Sequence, residues 1–329
     1  MTEDLRIDTG AGSDAIAQVR RIAAAAELAD GRPPVSDQAL IAIAQGGREL
    51  LLFSPAADAT AAPVAFGVVG EGELDLVVEP HSRGRGIGTA ALEALLARAA
   101  GAVADSPADT APLLAWSHGE NPAADALLAR AGFAPARSLY LMSLDPSRLP
   151  DADRGPSAVP LPDGFALRSY GAGGDPAADD REWVRVNAAA FATHPEQGRI
   201  TEADFALMRD EPWFDPADLL LLAAPADPAV PAAPARLAGY TWVKTVPGET
   251  ADAAPAVELY AIGVDPAYSG TGLGRALLDV TLARMAQHRP SSVELYVDGE
   301  NERAVGMYER AAFTIASRSR QWALQTPAQ

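Results

Sequence analysis

The chain of 329 residues contains no cysteine. That excludes a disulfide framework, a thiolate nucleophile and any cysteine-ligated metal. Histidine is scarce as well, at 4 in all. No cluster of histidines and carboxylates stands at ligand spacing, so no metal is expected. No apolar run approaches the ~20 residues that span a bilayer. The stretch "MTEDLRIDTGAG" at the start is acidic and polar, without the basic and apolar regions of an export signal. A soluble, cytoplasmic protein is expected. Basic residues are outnumbered, 26 Lys and Arg against 44 Asp and Glu, for a formal charge of −18. A nucleic acid or an anionic membrane needs a basic face, so neither is expected as a partner. A small anionic ligand stays open, because it meets only a few local groups.

What is present is ordinary in bulk and unusual in pattern. Hydrophobic residues make up 48% and charged residues 21%, a globular balance. The length suits two domains of roughly 150 residues. Residues 264–278 read "VDPAYSGTGLGRALL" and residues 78–92 read "VEPHSRGRGIGTAAL". Pro80, Gly84, Gly86, Gly88 and Ala90 recur as Pro266, Gly270, Gly272, Gly274 and Ala276, at an offset of 186. Further on, Gly119, Glu120, Asn121, Ala124, Arg130, Ala131 and Phe133 recur as Gly299, Glu300, Asn301, Ala304, Arg310, Ala311 and Phe313, at an offset of 180. Two motifs repeated in one order read as an internal duplication. The Pro-, Asp- and Gly-rich segment 144–164 reads as a linker. The expected division is 1–148, a linker over 149–162, and 163–329.

The same element order is expected in each half. Helical segments come first, over Asp14–Leu28 and Asp37–Ile43, then over Asp180–Phe191 and Thr201–Arg209. Strands follow, "ELLLFS" and "APVAFGVV" against "DLLLLAAP" and "RLAGYTWVKTV". The proline-rich loops "PAADATAAP" and "PADPAVPAAPA" sit between them, as hairpin insertions would. A strand then enters the glycine loop, with an amphipathic helix behind it over Gly88–Ala100 and Gly274–His288. A strand and a short helix close each half.

A strand that ends in Gly-x-Gly-x-Gly and opens a helix offers unpaired backbone N–H groups at the positive end of a helix dipole. Glycine lets the backbone approach a pyrophosphate closely. A structural turn is the plain alternative. A dinucleotide fold is a poorer one, since its glycine loop follows the first strand of a βαβ unit.

V-x-P-x-x-R-G-x-G-I/L-G, then a helix, a strand and N-x-x-A-x-x-x-Y-x-x-x-G/A-F, resembles the GCN5-related N-acetyltransferase family. The likeness covers both halves and implies an α/β fold, an α+β mixed sheet in two tandem acetyltransferase domains. It also implies acetyl-CoA as ligand, with one copy in each domain as a possibility. The strand before each loop, Leu76, Val77 and Val78 or Ile262, Gly263 and Val264, is implied to pair with the pantetheine arm. The loops implied to hold the pyrophosphate are Arg83, Gly84, Arg85, Gly86, Ile87, Gly88 and Thr89, and Ser269, Gly270, Thr271, Gly272, Leu273, Gly274 and Arg275. In the second half Asn301, Glu302, Arg303, Ala304, Val305 and Gly306 join them. One departure stands out: the family begins this loop with Gln or Arg, and Ser269 stands there in the second half.

Acetyl transfer to an amine needs a base for the ammonium proton and an acid for the departing thiolate. Tyr308 stands where the family places its acid, and its first-half counterpart is Leu128, which cannot donate. Glu258, within the apolar strand "AVELYAIGV", is the candidate base, sharing a face with Tyr260 under period-2 alternation. By the 186 offset its counterpart is Gly72, while Glu73 is one residue out of phase and is expected to face the other way unless a bulge intervenes. The first half is therefore expected to bind acetyl-CoA without turning it over.

"PVSDQ", "NAAAFATHPEQGRIT", "WFDPADLLL", "GYTWVK" and "VELYVDGENERAV" resemble, more narrowly, tandem actinobacterial members of the family. These act on the cysteinyl amine of the pseudodisaccharide Cys-GlcN-Ins. The substrate contacts implied are Asp37, Glu196, Lys244, Glu258 and Tyr296. His194, beside Pro195, is read as shaping a turn. Another amine, such as an aminoglycoside or a peptide N-terminus, and a non-enzymatic acetyl-CoA sensor stand as alternatives. A monomer is expected.

Overall fold

A computed structural model describes residues 4–10, 12–35, 39, 43, 47–105, 112–192, 197–225, 236–248, 250 and 253–325. Asp37, His194 and Glu196 lie outside the described residues, as does most of the helix expected over Asp37–Ile43. Among the described residues no helix is long and apolar enough to cross a membrane.

The chain forms two compact units. The first is Met1–Tyr140 with Asp298–Glu300 and Ser317–Gln329; the second is Leu141–Val297 with Asn301–Ala316. Neither unit is a contiguous half of the sequence, because each is completed by strand residues from the other half.

The first unit holds β1 (Leu5–Thr9), α1 (Ser13–Asp30), β2 (Glu49–Pro55), β3 (Ala65–Gly70), β4 (Glu73–Val78), α2 (Ile87–Asp105), β5 (Leu114–Ser117) and α3 (Pro122–Arg130). Strands β1 to β4 are antiparallel neighbours, and β4 pairs with β5 in parallel. Successive side chains of a strand point to opposite faces, and the core divides accordingly. Leu50, Leu52, Phe66, Val68 and Val77 pack with Val19, Ile22 and Ala26 of α1. Leu51, Phe53, Ala65, Val69 and Leu74 pack with Ile87, Leu92 and Leu95 of α2 and Leu128 of α3.

The second unit repeats the plan. It contains β7 (Ala166–Ser169), α4 (Pro176–Ala190), α5 (Glu202–Arg209), β8 (Leu219–Ala223), β9 (Leu237–Val246), β10 (Ala256–Val264), α6 (Leu273–Gln287), β11 (Ser292–Asp298) and α7 (Glu302–Arg310). Helix α4 begins four residues before the expected Asp180, because Asp175 caps it, accepting from the N–H of Ala177 and Ala178 with Pro176 next. Thr201 and Asp204 form a reciprocal capping box at α5. These two helices bury aromatic rings on one sheet face. Trp183 stacks on Phe205 with centroids 4.0 Å apart, and both meet Trp242 edge-on. Leu273 and Leu277 of α6 cover the other face.

Each half carries a further strand beyond the expected closing helix, β6 (Phe133–Leu144) and β12 (Thr314–Leu324). In the first unit β12 pairs antiparallel with β5, from Arg320↔Ser117 to Ala323↔Leu114. There Trp322, 5% exposed, joins the α2-side core of that unit. In the second unit β11 neighbours β6, whose Leu141, Met142 and Leu144 are buried.

Replacing Trp322 with Ala empties a buried indole site in the first unit. The expected cost is about 3–5 kcal/mol, read as a lower urea midpoint for the transition reported by Trp116. An unchanged midpoint would show that the exchanged strand contributes nothing to that unit.

Candidate active site

The second unit's glycine loop starts from a pinned base. Asp265 caps the turn Pro266–Tyr268 through the N–H of Ala267 and is gripped by Arg185 of α4, which also binds Glu182 and the Leu237 carbonyl. Gly270 (φ 79°) and Gly272 (φ 84°) occupy the left-handed region that side chains disfavour. The chain then enters α6 with its first amides pointing outward. No described group accepts a hydrogen bond from the N–H of Gly270, Gly272, Leu273 or Gly274. A Cβ on Gly270 or Gly272 would meet nothing within 4 Å, so the space over the loop is open. Outward amides at a helix start form an anion cradle. Side chains add little to it: Thr271 Oγ1 donates to the Tyr268 carbonyl at 2.6 Å, and Arg275 pairs with Asp279 at 3.0 Å. The missing Gln or Arg at Ser269 is therefore not replaced by a neighbour.

The first unit has the same cradle, with Gly84 and Gly86 at φ 75° and 83°. The N–H groups of Gly84, Gly86, Ile87 and Gly88 likewise have no described acceptor. Arg83, expected to supply charge, is clamped by Asp30 at 2.7 and 2.8 Å and by the Val78 carbonyl.

Beyond the loop, the parallel strands part. Registered pairs of β4 and β5 end at Leu74↔Ala115, and those of β10 and β11 end at Leu259↔Leu295. In the first unit a cavity of about 240 Å³ fills the gap, with Leu76–Val78 on one wall and Trp116–His118 on the other. Leu92 and Leu128 also line it. Ser117 Oγ and His118 Nε2 are buried on its wall without a hydrogen-bond partner among the described residues. Burial pushes the His118 imidazole down to about 4, so it is neutral at physiological pH. An elongated cleft with an anion cradle at one end and orphaned polar atoms along it fits a long phosphorylated ligand with amide groups, as pantetheine has.

Asn121 and Asn301 occupy matching cap positions, each accepting from an N–H three residues on, at 3.1 Å. Seven residues further, Leu128 and Tyr308 take matching places in α3 and α7, each 5% exposed. Tyr308 meets Phe313 edge-on, and burial raises its phenol above the usual range, so it stays protonated. Its hydroxyl bonds no described group.

Glu258 lies on β10 with Lys244 of β9 opposite on one side and Glu294 of β11 on the other. Between Leu259 and Ala261 the β9–β10 register slips, leaving Tyr260 as the residue of a β-bulge. Burial, with the charges of Glu258 and Glu211, pushes the Tyr260 phenol up to about 12. Lys244 is the only lysine in the chain. Its Nζ lies 5.2 Å over Trp213 and 5.8 Å over Tyr260, and it makes no ion pair with a described carboxylate. Tyr296 stands on β11 with half its surface exposed.

The bulge corrects the expected equivalence of the two halves. The pairs Val78↔Ala65 to Asp75↔Val68 match Val264↔Gly239 to Ala261↔Trp242. The first unit has no bulge, so past that point Leu74 matches Leu259 and Glu73 matches Glu258. The second neighbours agree, since Glu73 pairs with Leu114 as Glu258 does with Glu294. Gly72 instead forms the β3–β4 hairpin turn with Glu71, both at positive φ. The first unit therefore keeps a carboxylate at this position, contrary to the expectation from a constant offset, but it is not open. Arg48 binds Glu73 at 2.6 Å, Glu71 at 3.4 Å and Asp75 at 3.6 Å. The residue opposite Glu73 is Gly70, and Arg48 packs where its side chain would be, with Cγ 3.3 Å from a Cβ placed there.

Two groups went unnoticed in the sequence. Trp213 and Arg48 touch the two carboxylates' surroundings; the lone lysine was the available signal for the first, and nothing marked the second.

Comparisons with known proteins agree with this geometry. Residues 186–313 match the family described as Acetyltransferase (GNAT) family. The mycothiol acetyltransferase of Kineococcus radiotolerans is 42% identical over 312 residues, covering 93% of this chain and 91% of that one. That of Sanguibacter keddieii is 37% identical over 318 residues, 95% of each. A GCN5-related N-acetyltransferase from Sphaerobacter thermophilus superposes with a TM-score of 0.68 at 22% identity, over 98% and 97% of the two chains. A tandem GNAT protein from the clavulanic acid biosynthesis pathway gives 0.64 at 19% identity, over 99% and 100%. The two structures share the fold.

Asp75, 7% exposed, yields a pH prediction. Burial chiefly, opposed by Arg48, pushes its carboxyl up to about 6 from an ordinary 3.8. A raised folded-state value means a contribution fully present below the unfolded value and lost as pH rises through about 6. Asp75→Asn should therefore gain on the wild type by about 1–3 kcal/mol between pH 4 and pH 8, measured by urea unfolding. A mutant-minus-wild-type difference flat across that range would contradict it.

Proposed function

Since the chain belongs to the mycothiol acetyltransferases, within the GCN5-related N-acetyltransferases, we propose that it acetylates the cysteinyl amine of Cys-GlcN-Ins, giving mycothiol. The observation that carries this reading is the second unit's juxtaposition of an anion cradle, parted strands, Glu258 and Tyr308. Acetyl-CoA supplies the acetyl group as a thioester activated for attack by an amine.

The residues then divide the work. The amides of Gly270, Gly272, Leu273 and Gly274 hold the pyrophosphate, and Ile262, Gly263 and Val264 offer free strand edge to the pantetheine arm. Asn301 lends its side-chain NH2, and the first turn of α7 (Glu302, Arg303, Ala304, Val305, Gly306) closes the other side. Glu258 takes a proton from the cysteinyl ammonium, and Tyr308 gives one to the departing thiolate. Lys244, Glu258 and Tyr296 contact the polyhydroxyl acceptor, with Asp37 and Glu196 as further contacts. Such a ligand has little apolar area, so its selection depends on polar groups that lose partners when it is replaced.

The first unit binds a second acetyl-CoA and does not turn it over. Its loop (Arg83 to Thr89), its cavity and its orphaned His118 and Ser117 atoms support binding; Leu128 in place of Tyr308 and Arg48 on Glu73 support silence. The protein works in the cytoplasm as a monomer and without a metal.

Coenzyme A release with Cys-GlcN-Ins tests the substrate. Cys-GlcN-Ins should far outpace free cysteine, and Lys244→Ala should narrow the gap; equal rates with both acceptors would sink the assignment. Tyr308→Phe should slow transfer by roughly 10²-fold with little change in acetyl-CoA affinity. Glu258→Gln should lose most at neutral pH and recover as the amine deprotonates at high pH. Wild-type rates for both variants would remove these residues from the mechanism.

A further inference from the structure

The cavity of the first unit has a polar end and an apolar end. At the polar end stand Gly84 and Gly88 of the glycine loop, with the capping Asn121. Leu76 and Val78 lie along one wall, and Ser117 and His118, with their orphaned atoms, lie along the other. The apolar end is where β4 and β5 close. Leu74, Leu92, Ala115 and Leu128 line it there, each 5% exposed or less.

Every residue of that apolar end has a counterpart in the second unit. The last registered pair of each parting matches Leu74 with Leu259 and Ala115 with Leu295. In the helices behind the loops, the offset of 186 matches Leu92 with Leu278. Leu128 matches Tyr308, each seven residues after its capping asparagine. The leucines at 74 and 92 are kept, and the other two positions are smaller in the first unit. A methyl group stands where the second unit has the isobutyl group of Leu295, and an isobutyl group stands where it has the phenol of Tyr308. Leu295 and Tyr308 are themselves buried, so in the second unit these larger side chains take up the corresponding space.

We infer that the first unit takes coenzyme A thioesters whose acyl group is an apolar chain longer than acetyl. The inference rests on the reading that this unit holds coenzyme A in its cradle and cleft. A thioester anchored by its phosphates at the glycine loop and lying along β4 brings its acyl end to Leu74, Leu92, Ala115 and Leu128. An acetyl group leaves part of that space unfilled, and an unfilled apolar space forfeits its packing contacts. Water is a poor substitute, since it needs polar partners that these four side chains do not offer. Each methylene that fills the space should tighten binding about fourfold. In the second unit Leu295 and Tyr308 leave room for a small acyl group only. The duplicated clefts therefore select different thioesters, and in the first unit, where Leu128 cannot protonate a thiolate, the thioester is a ligand that is held and not consumed.

The first test uses the wild-type chain without an acceptor. Titration calorimetry with free, acetyl- and butyryl-coenzyme A should show one site at which butyryl binds about tenfold more tightly than acetyl. A butyryl analogue carrying a diazirine on its acyl chain should then label peptides that contain Leu74, Ala115 or Leu128. Ala115→Leu, which copies the second unit, should bring butyryl affinity at that site down to that of acetyl and leave free coenzyme A bound as before. Ala115 belongs to the core, so the wild-type titration and the photolabel stand without this variant should it fail to fold. Equal affinities for acetyl and butyryl at both sites overturn the inference, as does a label absent from those peptides. The two failures are told apart by stoichiometry. If the first unit held no coenzyme A, every thioester would stop at one equivalent, and the reading of the cradle would fall as well. Two equivalents with no preference for chain length would leave that reading intact and overturn the inference alone.

Discussion

A β-sheet that stops pairing leaves backbone N–H and C=O groups that some other partner must satisfy. In both units the parallel strands stop at the same register, at Leu74↔Ala115 and Leu259↔Leu295. The candidate site of each unit is arranged around that parting. The glycine loops follow directly from the strands that part, and in the first unit one cavity is lined by both the loop and the strand. The short helices α3 and α7 enter from the far side, capped by Asn121 and Asn301, and present Leu128 or Tyr308 at matching positions.

Given that common frame, the surroundings of the strand carboxylate differ between the units by one residue of β10 and two cations. Tyr260 bulges from the second unit and brings a ring beside Lys244; the first unit runs straight and seats Arg48 on its carboxylate. The two units have diverged around this carboxylate and stayed alike at the glycine loop and the capping asparagine. Charge accounts for much of this. A carboxylate shared with an arginine and two acidic neighbours is a structural tie.

Much of this was legible in the sequence because the glycine and asparagine motifs fix local backbone geometry. Positive φ at Gly84, Gly86, Gly270 and Gly272 and the caps at Asn121 and Asn301 need only their own neighbours. The tandem acetyltransferase fold and its family followed from them, and most strands from their apolar runs. What depends on register was less legible. A constant offset of 186 aligned Glu258 with Gly72, since sequence spacing cannot show that one residue of β10 lies outside the ladder. Nor could it show that Arg83 is held by Asp30, or that Arg48, 25 positions from Glu73, folds onto it. The exchanged strands were missed for a related reason: "IASRSRQWAL" was not expected as a strand, and nothing local says which sheet it completes.

That exchange bears on how the protein is made. Synthesis delivers β5 long before β12, so the first unit, although encoded first, is the last to be complete. Until the second half has also emerged, the edge of β5 stands open beside an empty place for Trp322, and open strand edges recruit other chains. The duplication joined two copies of a domain, and each unit is completed by strand residues encoded in the other half.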